Sequence, residues 1–267
     1  MSAIRPIRAD SGGFDMQAPL RRVVVFVVLF VLYQAAEGFG ADVLHSFAVQ
    51  AALVVACVLV AWPLGRWLGY RGYDAYALSG PGWLPLLAGG LLLSGLANLA
   101  ALAMGLGLGI FAWTPGGAVD LAPLAPAAFA VAAFTTFVPS LAEDILTRGF
   151  WWRASGIRWK GAVFVAVSAI LYTLNHVYRL ANGPTECLML LCFGVAYASA
   201  MLRSGSLWPA VGLHWGWNLS NALFGGMLPV EVRDHLRAQV LWGWVNLAVA
   251  VIVLTLPYAP RPRRDPG

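Results

Sequence analysis

The chain has 267 residues, 60% of them hydrophobic and only 11% charged, with a mean hydropathy of +0.74. Soluble domains carry about 25% charged residues, so a water-soluble globular protein is excluded. The net charge of +5 comes from basic residues grouped in short stretches between apolar runs, which argues against a nucleic-acid-binding surface and reads as a topology signal.

A membrane-spanning helix needs about 20 apolar residues. Several such runs occur, and a helical bundle is favoured over a barrel. Residues 1–21, with Arg5, Pro6, Arg8 and Gly12-Gly13, read as a cytoplasmic tail. The first apolar run follows Arg21-Arg22 without a small-residue cleavage site and reads as a retained helix rather than a signal peptide. Helix 1 is expected over about 22–44 and helix 2 over about 47–68. A polar loop from Arg66 to Pro81 leads to a Gly- and Leu-rich helix 3 over about 83–111, suited to close packing. Thr114-Pro115-Gly116-Gly117 reads as a turn.

Helix 4 is expected from about Leu121 to about Arg153, because Ile145, Leu146, Phe150, Trp151 and Trp152 keep it apolar past its charges. Helices 5 to 8 are expected over about 161–178, 186–203, 207–228 and 238–257, and Arg261-Pro262-Arg263-Arg264 forms a basic tail. The expected architecture is therefore all-α, a polytopic transmembrane bundle of about eight spans. It divides into the tail (1–21), three N-terminal helices (22–120), a core of helices 4–7 (121–228), and a last helix with its tail (229–267). Eight spans put both termini on one side. Thirteen Lys/Arg then fall on that side and three (Arg179, Arg233, Arg237) on the other, with Arg148 inside helix 4. This bias predicts both termini in the cytoplasm.

Of the twelve acidic residues, only Glu143 and Asp144 read as lying within a span. A charge at the centre of a membrane helix costs roughly 2.5–3.5 kcal/mol on insertion scales, so such residues usually face a polar interior and mark function. Asp144 and Arg148 stand at i, i+4 and can pair. Glu143 is left about 100° round the helix with no partner nearby in sequence. His176 near the end of helix 5 shares a face with Tyr172. His214 in helix 7 shares a face with Asn218. The bland readings are an interfacial histidine for His176 and interhelical packing glue for His214 and Asn218. His45 and His235 fall in loops. Cys57, Cys187 and Cys192 lie in apolar runs without CxxC spacing and read as small buried residues. Ser206 reads as an N-cap, and Ser140 and Ser220 as ordinary helix residues.

One Glu, two His and one Asn projecting from three helices suit hydrolysis. A carboxylate can act as general base on water, and an imidazole and an amide can stabilise an oxyanion. Glu143, His176 and His214 could equally hold a divalent metal such as zinc, although no HExxH helix is present.

Glu143-Asp144-x-x-x-Arg148, Tyr172-x-x-x-His176 and His214-x-x-x-Asn218, in this order, resemble the three motifs of the CPBP (Abi) family, the CAAX-protease and bacteriocin-processing membrane proteins, whose usual forms are EExxxR, FxxxH and HxxxN. Arg148-Gly149-Phe150 and the stretch from Gly205 to Asn218 look like that family as well. The resemblance covers about residues 125–225. Asp144 replaces a Glu and Tyr172 a Phe. The resemblance implies an intramembrane endopeptidase similar to the Ras-converting type of CAAX prenyl protease, acting on a membrane-associated and possibly lipidated peptide or protein. It implies that Glu143 and His176 activate the water, that His214 and Asn218 stabilise the oxyanion, and that Arg148 orients the acidic pair. Such enzymes have been read as metalloproteases and as metal-free glutamic proteases. Asn is a poor zinc ligand and a good oxyanion donor, so the expectation here is no cofactor.

Two other functions compete. A non-catalytic immunity or scaffold protein would bury the same residues as a hydrogen-bond network. An ion-coupled transporter would use Glu143 and Asp144 as its site, but no internal repeat of the transporter kind is visible. The Ala-, Gly-, Leu- and Arg-rich composition fits a bacterial inner membrane. The helix starts leave a geometric conflict. His176 stands ~22 Å along helix 5 and His214 ~10 Å along helix 7 at 1.5 Å per residue, so these boundaries place the two histidines at different depths.

Overall fold

A computed structural model describes residues 17–255; residues 1–16 of the expected cytoplasmic tail and the basic tail around Arg261 lie outside them. The described residues form an all-α bundle. Its helices are α1 (Gln17–Gln34), α2 (Phe47–Trp67), α3 (Trp83–Gly107), α4 (Pro126–Asp144), α5 (Gly161–Asn175), α6 (Pro184–Ser204), α7 (Trp208–Met227) and α8 (His235–Thr255). Among the described residues, six helical stretches are long and apolar enough to cross a membrane. Of the other two helices, α5 has only 15 residues, and α7 carries His214, Asn218 and Asn221, which dilute its hydropathy. Large apolar side chains such as Leu92, Leu96, Val131, Trp244 and Val251 are exposed on the bundle surface, where hydrocarbon would meet them. The protein is a multi-pass membrane protein.

Two of the expected helices do not remain α-helical. α1 passes at Gln34 into a π-helical segment, Ala35–Val43, and α4 passes at Asp144 into another, Ile145–Ala154. Segments of this wider coil often mark functional sites. Helix 3 was expected to reach 111 but ends at Gly107. Phe111–Trp113 instead forms a short strand, β1, paired antiparallel with β2 (Val230–Val232). Helix 4 was expected from 121; a 3-10 turn at Ala122–Leu124 precedes α4, whose first residue is Pro126, because Pro is tolerated in the first turn. Helix 5 stops at Asn175, three residues short of the expected end, where His176 leaves helical geometry (φ −81, ψ 53). Ser206 lies outside α7, yet its hydroxyl accepts the Trp208 N–H at 3.4 Å.

Two further expectations need correction. Glu37 lies within the apolar stretch Gln17–Ala41, and Glu186 is buried in the first turn of α6, so the bundle holds more acid than Glu143 and Asp144. Glu186 is answered by Arg179 and by Gln239, whose amide donates to it at 2.6 Å. Among the cysteines, Cys57 and Cys192 are buried, whereas Cys187 is half-exposed.

The two ends of the bundle are held differently. At one end Arg153 pairs with Asp74 at 2.8 Å, the Tyr70 hydroxyl donates to the Arg153 carbonyl, and Trp208 Nε1 donates to Leu78 O at 2.7 Å. At the other end β1 meets β2, Arg233 N donates to Ile110 O, and the Tyr178 hydroxyl meets the Gln34 carbonyl.

α3 and α7 pack most intimately, backbone on backbone. A Cβ added at Gly216 would lie 2.6 Å from Leu91 O and 3.0 Å from Ser94 Cβ. Gly216 stands between His214 and Asn218, so this contact also sets where those side chains project. Overpacking a tight interface costs about 1–3 kcal/mol. Gly216→Val is expected to lower the thermal midpoint of the detergent-solubilised protein, whereas a valine at Gly89, which has open space around it, is expected to leave the midpoint near wild type.

Candidate active site

The site is built where α4 turns into its π-helical continuation. Apolar residues flank the charges on both sides, and Glu143, Asp144 and Arg148 are all at most 3% exposed. Asp144 and Arg148 form a buried ion pair one turn apart, the pairing expected from their spacing. The guanidinium has three further partners: Nη1 also donates to the Thr147 hydroxyl at 3.2 Å, and two rings face it. Arg148 Cζ lies 4.7 Å from the Tyr172 ring centroid and 5.0 Å from that of Tyr197. Its Nε and Nη2 have no hydrogen-bond acceptor among the described residues, and the two π faces take that place. Arg148 answers Asp144 and does not bridge both acids.

Glu143 finds its partners across the bundle. Oε1 accepts the Asn175 amide at 3.1 Å and lies 3.4 Å from His176 Nδ1. Oε2 lies 3.6 Å from His214 Nε2. On its other side, His214 Nδ1 meets Asp144 Oδ1 at 3.2 Å. The conflict in depth is thereby removed. Both imidazoles reach one carboxylate although their helix starts differ, so α5 and α7 are offset or inclined along the bundle. The early end of α5 also frees His176 from the helix to turn towards Glu143.

Asn218 belongs to the same cavity but does not touch Glu143. Its amide donates to the Ser140 hydroxyl at 3.1 Å, one turn before Glu143 on α4, and that hydroxyl donates to Thr136 O at 2.7 Å. The four expected site residues thus form a contact triad, with Asn218 one helical turn away.

The rings lock the orientation. Tyr197 stacks on His214 with centroids 5.0 Å apart and planes 21° apart, and Tyr172 meets His176 and His214 edge-on at 4.7 and 5.6 Å. His176 Nδ1 also faces the Tyr172 carbonyl oxygen at 2.8 Å. Two acceptors on one ring nitrogen assign its hydrogen to Nδ1 and leave Nε2 open.

Several contributors were not singled out from sequence. Asn175 sits beside His176 in the chain, and a polar residue at that position was its signal. Tyr197 is a lone hydroxyl-bearing ring deep in α6. Gln34 lies at the end of α1, and its amide donates to both the main-chain and side-chain oxygens of Asn175 at 2.8 and 2.9 Å. Only the fold joins Gln34 to the site, across 141 residues of sequence.

A cavity of about 290 Å³ adjoins this cluster, lined by Tyr33, Glu37, Ser140, Glu143, Tyr172, His176, Arg179, His214, Asn218 and Trp242, among others. A second, smaller and more apolar cavity shares Asn221 and Trp242 with it. Among the described residues, no group of three or more His, Cys, Asp and Glu side chains is arranged to hold a metal ion. The arrangement offers a buried carboxylate, two imidazoles and a primary amide beside a polar cavity, which is the equipment for adding water to a carbonyl.

Comparison with known families agrees with the motif resemblance. Residues 125–220 match the family model described as Rce1-like, type II CAAX prenyl endopeptidase Rce1-like. This segment is thus similar to that family, and all three motifs fall within the matched residues. No curated protein matches the chain significantly.

Removing one partner of a buried ion pair costs about 3–5 kcal/mol, whereas replacing both by apolar residues can be neutral. Arg148→Met is therefore expected to lower the thermal midpoint in detergent sharply, and Arg148→Met combined with Asp144→Leu to recover part of the loss.

Proposed function

We propose that the Rce1-like segment makes this protein an intramembrane endopeptidase of the CAAX-protease kind, hydrolysing a peptide bond of a membrane-associated, possibly lipidated, peptide or protein in a bacterial inner membrane. The observation that carries this reading is the convergence of His176 and His214 on the two oxygens of Glu143, beside a polar cavity. A buried network with only a structural role does not need such a cavity.

In the proposed reaction a water in the cavity attacks the scissile carbonyl carbon and gives its proton to Glu143. His176 supports the general base, with Nδ1 turned to Glu143 Oε1. His214 is held through Nδ1 against Asp144 and turns Nε2 towards the reacting space. Carrying a hydrogen on each nitrogen, it donates as the imidazolium from Nε2, together with the Asn218 amide, to the oxyanion, as oxyanion holes do. Collapse of the tetrahedral intermediate breaks the C–N bond, and the proton held by Glu143 passes to the leaving amine.

Asn175 and Gln34 position the base. Glu143 accepts from the Asn175 amide only if nitrogen, not oxygen, points at it. Gln34 donates to both Asn175 oxygens and so fixes the amide that way round.

The proposed mechanism runs without a metal. A zinc ligand set requires deprotonated nitrogens about 2.0–2.1 Å from one ion. His176 turns towards Glu143 the nitrogen that donates to the Tyr172 carbonyl, so Glu143, His176 and His214 do not fit such an ion as arranged. Cleavage by the purified enzyme is expected to survive chelator treatment undiminished, and a rate restored only by added zinc would overturn the metal-free reading.

A farnesylated peptide ending in a CAAX sequence, offered to the protein in proteoliposomes, tests the function. Glu143→Ala is expected to lower kcat by about 10²–10⁴-fold, the contribution of a general base, with expression and thermal midpoint retained. Asn218→Ala is expected to lose about 10²–10³-fold in kcat, as for an oxyanion donor. Wild-type turnover by Glu143→Ala would disprove the assignment. Gln34→Met keeps size and helix propensity but removes the donor. Its loss is expected to fall on kcat rather than KM and to vanish in an Asn175→Ala background, because a relay acts through its next member.

A further inference from the structure

The cavity lies entirely on one side of the catalytic cluster. Counted along each helix, its remaining lining residues lie towards the same end of the bundle. Tyr33 is at the close of α1 and Glu37 in the π-helical segment after it, Ser140 precedes Glu143 on α4, and Arg179 follows the break in α5. Asn218 and Asn221 follow His214 on α7, and Trp242 is in the second turn of α8. This is the end where β1 pairs with β2 and where Tyr178 meets the Gln34 carbonyl.

The opposite end is closed. Tyr76, Phe150 and Leu207 are buried there. Tyr76 donates to Ala61 O at 3.0 Å, Leu207 N to Ala77 O at 3.0 Å, and Trp208 Nε1 to Leu78 O at 2.7 Å.

Charge separates the same two ends. Among the described residues, the closed end carries Arg21, Arg22, Arg66, Arg71, Arg153, Arg158, Lys160 and Arg203 with Asp74, and the cavity end carries only Arg179, Arg233 and Arg237 with Glu37, Asp120, Glu186, Glu231 and Asp234. Basic loops stay in the cytoplasm. From these two asymmetries we infer that the catalytic cavity opens on the extracytoplasmic face of the membrane. The substrate is then a segment of an exported polypeptide, held at the outer leaflet by an apolar span or a lipid anchor. A soluble cytoplasmic tail cannot reach Glu143 through the packed basic end. Arg179, half-exposed at the mouth and anchored by Glu186, gives that entrance, which Glu37 also lines, a fixed cation.

The substrate part of this inference rests on the proposed protease activity, but the direction of opening does not. Sealed right-side-out and inverted membrane vesicles are prepared from cells expressing a protein in which Cys57, Cys187 and Cys192 are replaced by Ala. Single cysteines at Glu37, Asn221 and Arg158 are then treated with a membrane-impermeant maleimide. Glu37→Cys and Asn221→Cys are expected to react in right-side-out vesicles and Arg158→Cys in inverted ones. Any other pattern overturns the inference. A variant that fails to insert is replaced by Tyr178→Cys, whose native ring is exposed at the cavity end.

The farnesylated CAAX peptide is next added outside each vesicle type, with Glu143→Ala as control. Cleavage at least tenfold faster in right-side-out vesicles supports the inference. Glu143-dependent cleavage confined to inverted vesicles leaves the protease reading standing and overturns the direction. Absence of cleavage in both removes the protease reading, and the labelling alone then decides the direction.

Discussion

The structure depends on placing the Asp144–Arg148 ion pair inside an apolar bundle. A carboxylate and a guanidinium taken out of water each lose several kcal/mol of solvation, which their attraction repays only with good geometry and further partners. Here the partners come from three other helices. Tyr172 of α5 and Tyr197 of α6 present ring faces to the guanidinium, and His214 of α7 meets the carboxylate. The pair thus ties α4 to α5, α6 and α7 at one level, and the same tyrosines hold the two imidazoles. An element whose first effect is to make a buried charge tolerable thereby fixes the orientation of both histidines.

Glu143 is the member of the acidic pair that the ion pair does not consume. Its two oxygens are read by different helices, one by Asn175 and His176, the other by His214. The chain delivers these residues through an interruption. α5 ends at Asn175, and a helix end leaves carbonyls without intrahelical donors. Gln34 donates to the freed Asn175 carbonyl and to its side chain. The break that exposes His176 is therefore closed by the N-terminal helix, which lies outside the segment matched by the Rce1-like family model. The first helix contributes to the site as well as to the membrane anchor.

The two ends of the bundle divide the labour. The end rich in arginine is packed shut by Tyr76, Leu207 and Trp208, and β1 with β2 and the 3-10 segment Val177–Asn182 surround the other. A cluster open on one side and sealed on the other keeps bulk water to a single approach, which strengthens each electrostatic interaction within it.

Sequence alone was enough for the class of protein, because hydropathy and helix length are local properties and the bilayer rewards them segment by segment. It was also enough for the Asp144–Arg148 pair, whose i, i+4 spacing fixes the contact within one helix, and for the candidacy of Glu143, His176, His214 and Asn218, whose polarity has a cost in such surroundings. Helix ends were legible only to within a few residues, since Gly107, Asn175 and the π-helical segments end or widen helices in response to neighbours. The contribution of Gln34, the rings around Arg148 and the common depth of His176 and His214 were decided by tertiary structure. Each depends on the offset and inclination of one helix against another, and no spacing within a single helix encodes that.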